Sequence, residues 1–517
     1  MGRTSRRAPG CQRFHPTYRS LDLSSAKMPL GLNQYMTSKQ TPLPVLIIGN
    51  GPSGICLSYL LSGYTPYIKE GAMHPNPILQ RKLEESSGNA ITLQDLEYLS
   101  EGLEGRSNSP AALLFDTLLR PNTDFVGDVD SVLSWELEPE RAITHLVLGR
   151  DPPGGAWNVI EGSMITLSRG DWMGLPDLPF KEWIRMKRRN LRNDRSTAGD
   201  ILNYYRYYVK KKGLEDNFIS GATVTSVVKV NKGSTSCCGN QILWMRNIHA
   251  DNSEDDKTLF QVNGFLENEF GDKQEFCIYA EKVVLATGTY DKSSLLGVQG
   301  EDLPFVSHKI SELEKAVKTH QINQHSDPVL IIGAGLTAAD AVLLAHHYNI
   351  PVIHAFRRRV NDPGLIFNQL PQVMYPEYHK VHQMMKEQSV SRDGPYEGYI
   401  SLPEHHITSF HSDKKCTFKD KNGQSKIFNI SMAFVLIGAN PNLSFLPNDG
   451  TNLAVNNEKP VNSKRNPLDI DLFTYECVQE KGLYAVGPLV GDYFVRFVQG
   501  GAFAVASSII KSHKRPP

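Results

Sequence analysis

The sequence has no excess of charge of either sign. Lys plus Arg and Asp plus Glu each number 55 in 517 residues, so no global field draws the chain to nucleic acid or to an anionic lipid surface. It also lacks any apolar run near the roughly 20 residues that span a bilayer. Its longest candidates, such as Val329 to Ile332, are short and run into glycine, as buried strands do. Cysteine is scarce and scattered: Cys11, Cys56, Cys237, Cys238, Cys277, Cys416 and Cys477 include no Cys-x-x-Cys and no Cys/His cluster. That argues against a disulfide framework and against a metal site, and for a reducing compartment, read here as cytoplasmic. Lys210-Lys211-Lys212 reads as a solvated helix end, and His405-His406 as a surface pair without metal partners.

What is present is enough chain for two or three domains and an apolar share of 40 %, which suits a sizeable core. Residues 1–40 carry Arg3, Arg6, Arg7, Arg13, Arg19, Lys27 and Lys39 against Asp22 alone. They read as a disordered basic tail, with a mitochondrial leader as the alternative.

Residues 44–54, PVLIIGNGPSG, read as a buried strand running into a glycine turn, and Ile55, Leu57, Leu60 and Leu61 continue at a helical period. In such a turn Gly49 permits the tight bend, Gly51 lets the backbone approach a pyrophosphate, and Gly54 lets the helix lie close to the strand. Pro52 and Ser53 open the helix, whose free N–H groups and dipole suit phosphate. A second strand, residues 65–70, ends in Glu70, nineteen residues after Gly51 and near the spacing at which a carboxylate reaches a ribose hydroxyl. Residues 73–150 read as an insertion in this first domain.

Residues 329–340, VLIIGAGLTAAD, repeat the pattern, with Gly333 and Gly335 in place and Ala338 at the third, packing-only position. The next strand ends in Arg357-Arg358-Arg359 where an acid would bind a free ribose hydroxyl. Arginines suit the 2′-phosphate of NADPH, and this reading is preferred to that of a solvated basic strand end, the alternative for any one of them. Runs ending at Ala286-Thr287-Gly288, at Gly438 and at Gly487 are buried strands closing in glycine turns, of the kind that border a cofactor cleft.

In this order, residues 49–54, Glu70, Gly154-Gly155-Ala156-Trp157, Ala286-Thr287-Gly288 and residues 333–338 resemble the class B flavoprotein monooxygenases. The resemblance implies that Gly155 and Trp157 lie beside FAD, with Thr287 and Gly288 at the same cleft. Residues 166–180 resemble the flavin-proximal loop of flavin-containing monooxygenases, and residues 200–208 the helix after it; by period, the tyrosines of that helix read as core. Gly487 and Asp492 resemble a flavin-binding Gly-Asp segment, with Pro488 as a departure. From about residue 40 onward the chain is similar to the oxidative stress-induced growth inhibitor family. That implies an FAD- and NADPH-dependent monooxygenase inserting one oxygen atom from dioxygen by way of a flavin peroxide. It also implies a role in growth, differentiation and cell division, with protein partners in that control.

The fingerprint Phe-x-Gly-x-x-x-His is not intact; in residues 300–308 the spacing from Gly300 to His308 is too long. Asp171 and His308 are the only acid–base candidates, and each reads more simply as a structural polar residue. Three rivals stay open: an NADPH oxidase releasing hydrogen peroxide, a nucleotide-binding scaffold or redox sensor, and, disfavoured by the missing Cys-x-x-Cys, a disulfide reductase. The expected architecture is two doubly wound Rossmann-like α/β domains, the NADPH domain (residues 291–430) inserted in an FAD domain (residues 41–290 and 431–517). The substrate, a small molecule or a protein side chain, is not legible.

Overall fold

The computed structural model describes residues 42–122, 124, 129–160, 164–187, 195–231, 258–388 and 396–513. The basic tail, Cys11, Cys237 and Cys238 lie outside them.

Along the first half the elements are β1 (Leu43–Ile48), α1 (Pro52–Leu61), β2 (Tyr64–Ile68), α2 (Pro77–Glu85), α3 (Leu96–Ser100), α4 (Pro110–Leu119), β3 (Leu133–Leu137), β4 (His145–Leu148), β5 (Ile165–Arg169), α5 (Gly170–Met173), α6 (Phe180–Met186), β6 (Arg195–Thr197), α7 (Ala198–Lys211), β7 (Phe218–Ile219), β8 (Ala222–Asn231), β9 (Thr258–Glu267) and β10 (Lys273–Leu285). There follow β11 (Lys292–Ser293), β12 (Val306–Ser307), α8 (Ile310–Lys318), β13 (Val329–Ile332), α9 (Leu336–His347), β14 (Val352–Phe356), α10 (Pro376–Glu387), β15 (Tyr399–Pro403), β16 (His406–Phe410), β17 (Lys415–Lys419), β18 (Ser425–Asn429), β19 (Ala433–Val435), β20 (Ala439–Asn440), β21 (Leu483–Ala485) and α11 (Val495–His513).

Two parallel sheets form the frame. In the first, β7, β4, β1, β10 and β21 run parallel in that order, and the long β10 continues backwards into an antiparallel meander with β9 and β8. In the second, β12, β19, β13, β14 and β15 are all parallel. Helices cover both sheets, as unbroken apolar strands such as LPVLII and VLII require. The two connections between the sheets meet as a short ribbon, β11 with β20.

α1 is ten residues long and buried almost all round, too short to persist by propensity alone. Packing holds it. α11 lies beside it in the same apolar cluster, and α4 crosses α11 where a Cβ on Gly500 would stand 2.4 Å from the Ala112 Cα. Phe115 and Phe503 stack there at 4.6 Å, and each contributes the roughly 1.5–3 kcal/mol of a fully buried large side chain.

Three sequence expectations are revised. Residues 73–150 are not all insertion: β4, near their end, is the strand hydrogen-bonded to β1 on the side away from β10. β19, expected in the returning part of the first domain, belongs to the second sheet; a short apolar run ending in glycine reads alike in either sheet. His405 is buried in the turn between β15 and β16, its Nδ1 2.6 Å from the Pro403 carbonyl and its backbone N–H 3.4 Å from the Phe356 carbonyl of β14, while His406 is exposed.

Candidate functional site: two glycine turns at parallel sheet edges

The registers of β1 with β4 and β10 pair Ile48 with Leu148 and Leu285. Gly49, Gly149 and Ala286 therefore emerge together at one sheet edge. Gly49 has φ +117°, and a Cβ on it would stand 2.2 Å from the Ala286 carbonyl oxygen, so only glycine fits. A Cβ on Gly54 would meet the Gly49 oxygen at 2.1 Å. Gly51 caps α1 without any side-chain hydrogen bond, and Pro52 holds the first helical position, where its missing N–H costs nothing. The segment after β4 folds over this turn. Gly154 N–H donates to Asn50 O at 2.9 Å, and the Asn50 amide donates to Asp151 O at 2.6 Å. Gly155 lies against Gly51, and Trp157 is half-buried with its ring edge-on to Tyr205.

From the other side come Thr287 and Gly288. Thr287 Oγ1 is buried and has no hydrogen-bond partner, an arrangement that in a native protein calls for a ligand or water. A Cβ on Gly487 would stand 2.9 Å from Ser53 Oγ, which brings the segment after β21 to the same turn. Asp492, five residues on, accepts from Tyr475 at 2.8 Å and Ser107 at 3.3 Å, and burial pushes its carboxyl up to about 6.

At the second sheet the pairing of Ile332 with Ala355 and Val435 brings Gly333, Phe356 and Leu436 to one edge. A Cβ on Gly333 would stand 2.4 Å from the Leu436 oxygen, whereas Gly335 faces open space and caps α9 with no side-chain bond. Ala338 is fully buried and its methyl group fits. Arg357, Arg358 and Arg359 are all exposed at the end of β14. Arg358 pairs with Asp362 and Arg359 with Glu404. A cavity of about 840 Å³ opens here, lined by Arg359, Asp362, Lys386 and Glu404 among others.

Glu70 is not brought to the first turn by the sheet. It is exposed, and β2 ladders only with β3 among the described residues, with no bond to β1. Spacing along the chain singled out the first strand after α1, but the strand beside β1 is the next parallel one, β4, which ends in Gly149-Arg150-Asp151. Asp171 is half-buried near Arg169, 3.9 Å away. His308 pairs at 3.0 Å with Glu301, which lies between the two sheets in sequence. Burial opposes ionisation of Glu301, but His308 and the N–H groups of Leu296, Gly297 and Val298 outweigh it and hold the carboxyl below its usual range.

Tyr204, Tyr205 and Tyr208 are fully buried, and their hydroxyls donate to the end of α5 and the loop after it, at Leu178 O (2.6 Å), Met173 O (3.3 Å) and Pro176 O (2.9 Å) respectively. Arg120 and Gln499 fix the same loop through Gly174 O, at 2.7 and 2.9 Å. Lys212 is drawn in too, its ammonium 2.5 Å from Asp177 and over the rings of Tyr59 and Tyr64, so this helix end is not simply solvated.

Sequence reasoning missed a buried ion cluster. Arg496 of α11 bonds Asp116 of α4 at 2.5 Å and Asp124 at 2.8 Å, with its guanidinium 4.8 Å from the Trp172 ring centre. A lone charge inside each apolar run, FDTLL and VRFV, was the available signal. Across the domains, Arg195 reaches Glu377 at 2.6 Å and the Tyr375 hydroxyl donates to Leu167 O at 2.7 Å.

The described cysteines form no exposed pair. Cys56, Cys416 and Cys477 are buried, burial raising all three thiols, the last two to about 12. No group of three metal-ligating side chains and no helix long and apolar enough to cross a membrane occurs among the described residues.

A dinucleotide fits both turns by chemistry: uncapped helix ends, backbone kept bare by glycine, an orphaned buried hydroxyl at one and exposed arginines at the other. Comparison with known proteins agrees. Residues 239–490 match the family of pyridine nucleotide-disulphide oxidoreductases. The chain is 58 % identical to oxidative stress-induced growth inhibitor 1 of Homo sapiens, across 93 % of this chain and 98 % of that one. It is 50 % identical to the human oxidative stress-induced growth inhibitor 2, across 91 % and 94 %. Among solved structures, the bacillithiol disulfide reductase Bdr (YpdA) of Staphylococcus aureus aligns with a TM-score of 0.55 at 16 % identity, across 92 % of this chain and all of that one. That likeness is one of fold: two α/β dinucleotide-binding domains. Family match and fold together support a flavin-dependent oxidoreductase as the coarse class.

The chain belongs to the oxidative stress-induced growth inhibitor family.

Proposed function

We propose that this chain is an FAD- and NADPH-dependent monooxygenase whose activity serves the growth control for which its relatives are named. The observation that carries the reading is the pair of uncapped glycine turns, each at the carboxyl edge of its own parallel sheet. Ligands of open α/β sheets bind at that edge.

Gly49, Gly51 and Gly54, with Pro52 and Ser53, would hold the FAD pyrophosphate; Gly155, Trp157, Thr287, Gly288, Gly487 and Asp492 would line the rest of its cleft. Gly333, Gly335 and Ala338 would hold NADPH, with Arg357 and Arg358 at its 2′-phosphate. Bound there, FAD supplies hydride acceptance and reaction with dioxygen, chemistry that no side chain provides. The protein's part is to bind and orient the two nucleotides and to exclude water. The tyrosine-clamped loop after α5 serves that shielding, held by hydroxyls from α7 and by Arg120 and Gln499. A monooxygenase is favoured over a disulfide reductase because the sequence has no Cys-x-x-Cys and, among the described residues, the cysteine beside the first turn, Cys56, is wholly buried in α1.

The test is the visible spectrum of the purified chain. Near-stoichiometric FAD that bleaches with NADPH without oxygen supports the reading. Hydrogen peroxide equal to the NADPH consumed, whatever substrate is present, would leave an oxidase. Folded, colourless protein that takes up no added FAD would leave a scaffold.

A further inference from the structure

Among the described residues, the strand beside β1 does not end in the carboxylate that a dinucleotide fold uses on the adenosine ribose. Glu70 sits on a strand with no bond to β1. At the end of β4, where the acid belongs, stands Gly149, and a Cβ there would lie 2.0 Å from the Asn50 amide nitrogen. Asn50 thus fills the space an acid at 149 would need, and spends its own amide on Asp151 O.

The next residue is Arg150, with an exposed side chain that pairs with Asp291. Arg150 follows β4 and Asp291 follows β10, the two strands that flank β1. Their ion pair therefore joins the segments that leave the two strands on either side of β1, at the same sheet edge as the Gly49–Gly51 turn. Asp291 is largely buried and its other oxygen accepts from the Asn442 N–H at 3.4 Å, so it is the fixed member and Arg150 the one that faces outward.

We propose that Arg150 takes over recognition of the adenosine half of the first dinucleotide, with Asp291 as its positioning residue. This rests on the reading that the first turn binds FAD. A guanidinium only donates hydrogen bonds, so it meets the oxygens of the adenosine diphosphate, where a carboxylate would accept from ribose hydroxyls. Binding should consequently weaken with salt, because an exposed cation meeting an anionic ligand is screened.

The experiment titrates flavin-free full-length protein with FAD, and with FMN, which lacks the adenosine half, by flavin fluorescence. Variants are Arg150→Ala, Asp291→Asn and Glu70→Ala, with circular dichroism to verify folding. The expected result for Arg150→Ala is FAD binding weaker by about tenfold or more, the scale of a charge-assisted hydrogen bond, and unchanged FMN binding. Asp291→Asn should fall between, and Glu70→Ala should match wild type. Arg150→Lys, which keeps the charge, should recover part of the loss. Wild-type FAD affinity in Arg150→Ala overturns this inference and leaves the cofactor assignment intact. A wild-type chain that binds no FAD overturns both.

Discussion

Gly155 lies against Gly51 so closely that a Cβ on Gly155 would stand 2.7 Å from the Gly51 Cα. The loop after β4 and the turn after β1 are thus packed backbone on backbone, with no room for a side chain between them.

Gly155→Ala should therefore destabilise the flavin-free protein. Its φ of +56° disfavours alanine by about 1 kcal/mol, and the clash is with backbone that cannot rotate away, adding about 1–3 kcal/mol. Gly335→Ala provides the contrast. Its Cβ would enter open space, so unfolding should shift by no more than about 0.5 kcal/mol. NADPH affinity should still fall, because the methyl group takes room left for a phosphate. Urea unfolding and NADPH titration separate the two, and unaltered NADPH binding in Gly335→Ala would count against a nucleotide at α9.

Removing the exposed arginines should change nucleotide preference more than stability. Arg357→Ala/Arg358→Ala is expected to raise KM for NADPH about 10–100-fold, the worth of one or two charge-assisted bonds, and to leave KM for NADH nearly unchanged. Equal losses with both nucleotides would show that the arginines do not read the 2′-phosphate.

The Arg496–Asp116 pair is buried, with side chains only 3 % and 6 % exposed. Asp116→Ala leaves the guanidinium with Asp124 alone, and breaking a buried pair costs about 3–5 kcal/mol. Chemical denaturation should register a loss of that order. A change under about 1 kcal/mol would mean that Asp124 and the Trp172 ring suffice.

Asp492 carries a pH signature. Burial raises its folded carboxyl to about 6, above an unfolded value of about 3.9. The folded state then holds a proton that the unfolded chain has released. This contribution is full below about pH 4 and is lost as pH rises through about 6, at most about 3 kcal/mol. His145 and His354, lowered to about 4 by burial, act in the opposite direction on acidification. The difference between wild type and Asp492→Asn cancels them. It should favour wild type progressively as pH falls from 7 to 4, measured by urea unfolding of flavin-free protein. A flat difference would contradict a raised Asp492.

Both strand–turn–helix units were legible in the sequence because each is local: apolar run, glycines and helical period fit within about twenty residues. The tyrosines of α7 were legible as core for the same reason, their spacing repeating one helix face. What was not legible depends on which strand lies beside which. Glu70 was chosen by spacing along the chain, and the strand that lies beside β1, β4, is set by a pairing between residues about 100 apart. The assignment of β19 needed the same knowledge. The Arg496 cluster joins residues 380 apart in the chain, and no local pattern reports such a meeting.

The pairing of β21 with β10 bears on how the molecule is made. The five parallel strands of the first sheet are drawn from Leu43 to Ala485, whereas the second sheet is complete once Val435 has been made. A ribosome adding about 5–20 residues per second needs roughly 20–90 s between the emergence of β1 and that of β21. The inserted domain can fold during that interval, while its host waits with α1 uncovered and the edge of β10 unpaired. Mutations that slow translation or truncate the chain after β19 should therefore leave a nearly intact second domain beside an exposed, aggregation-prone first one.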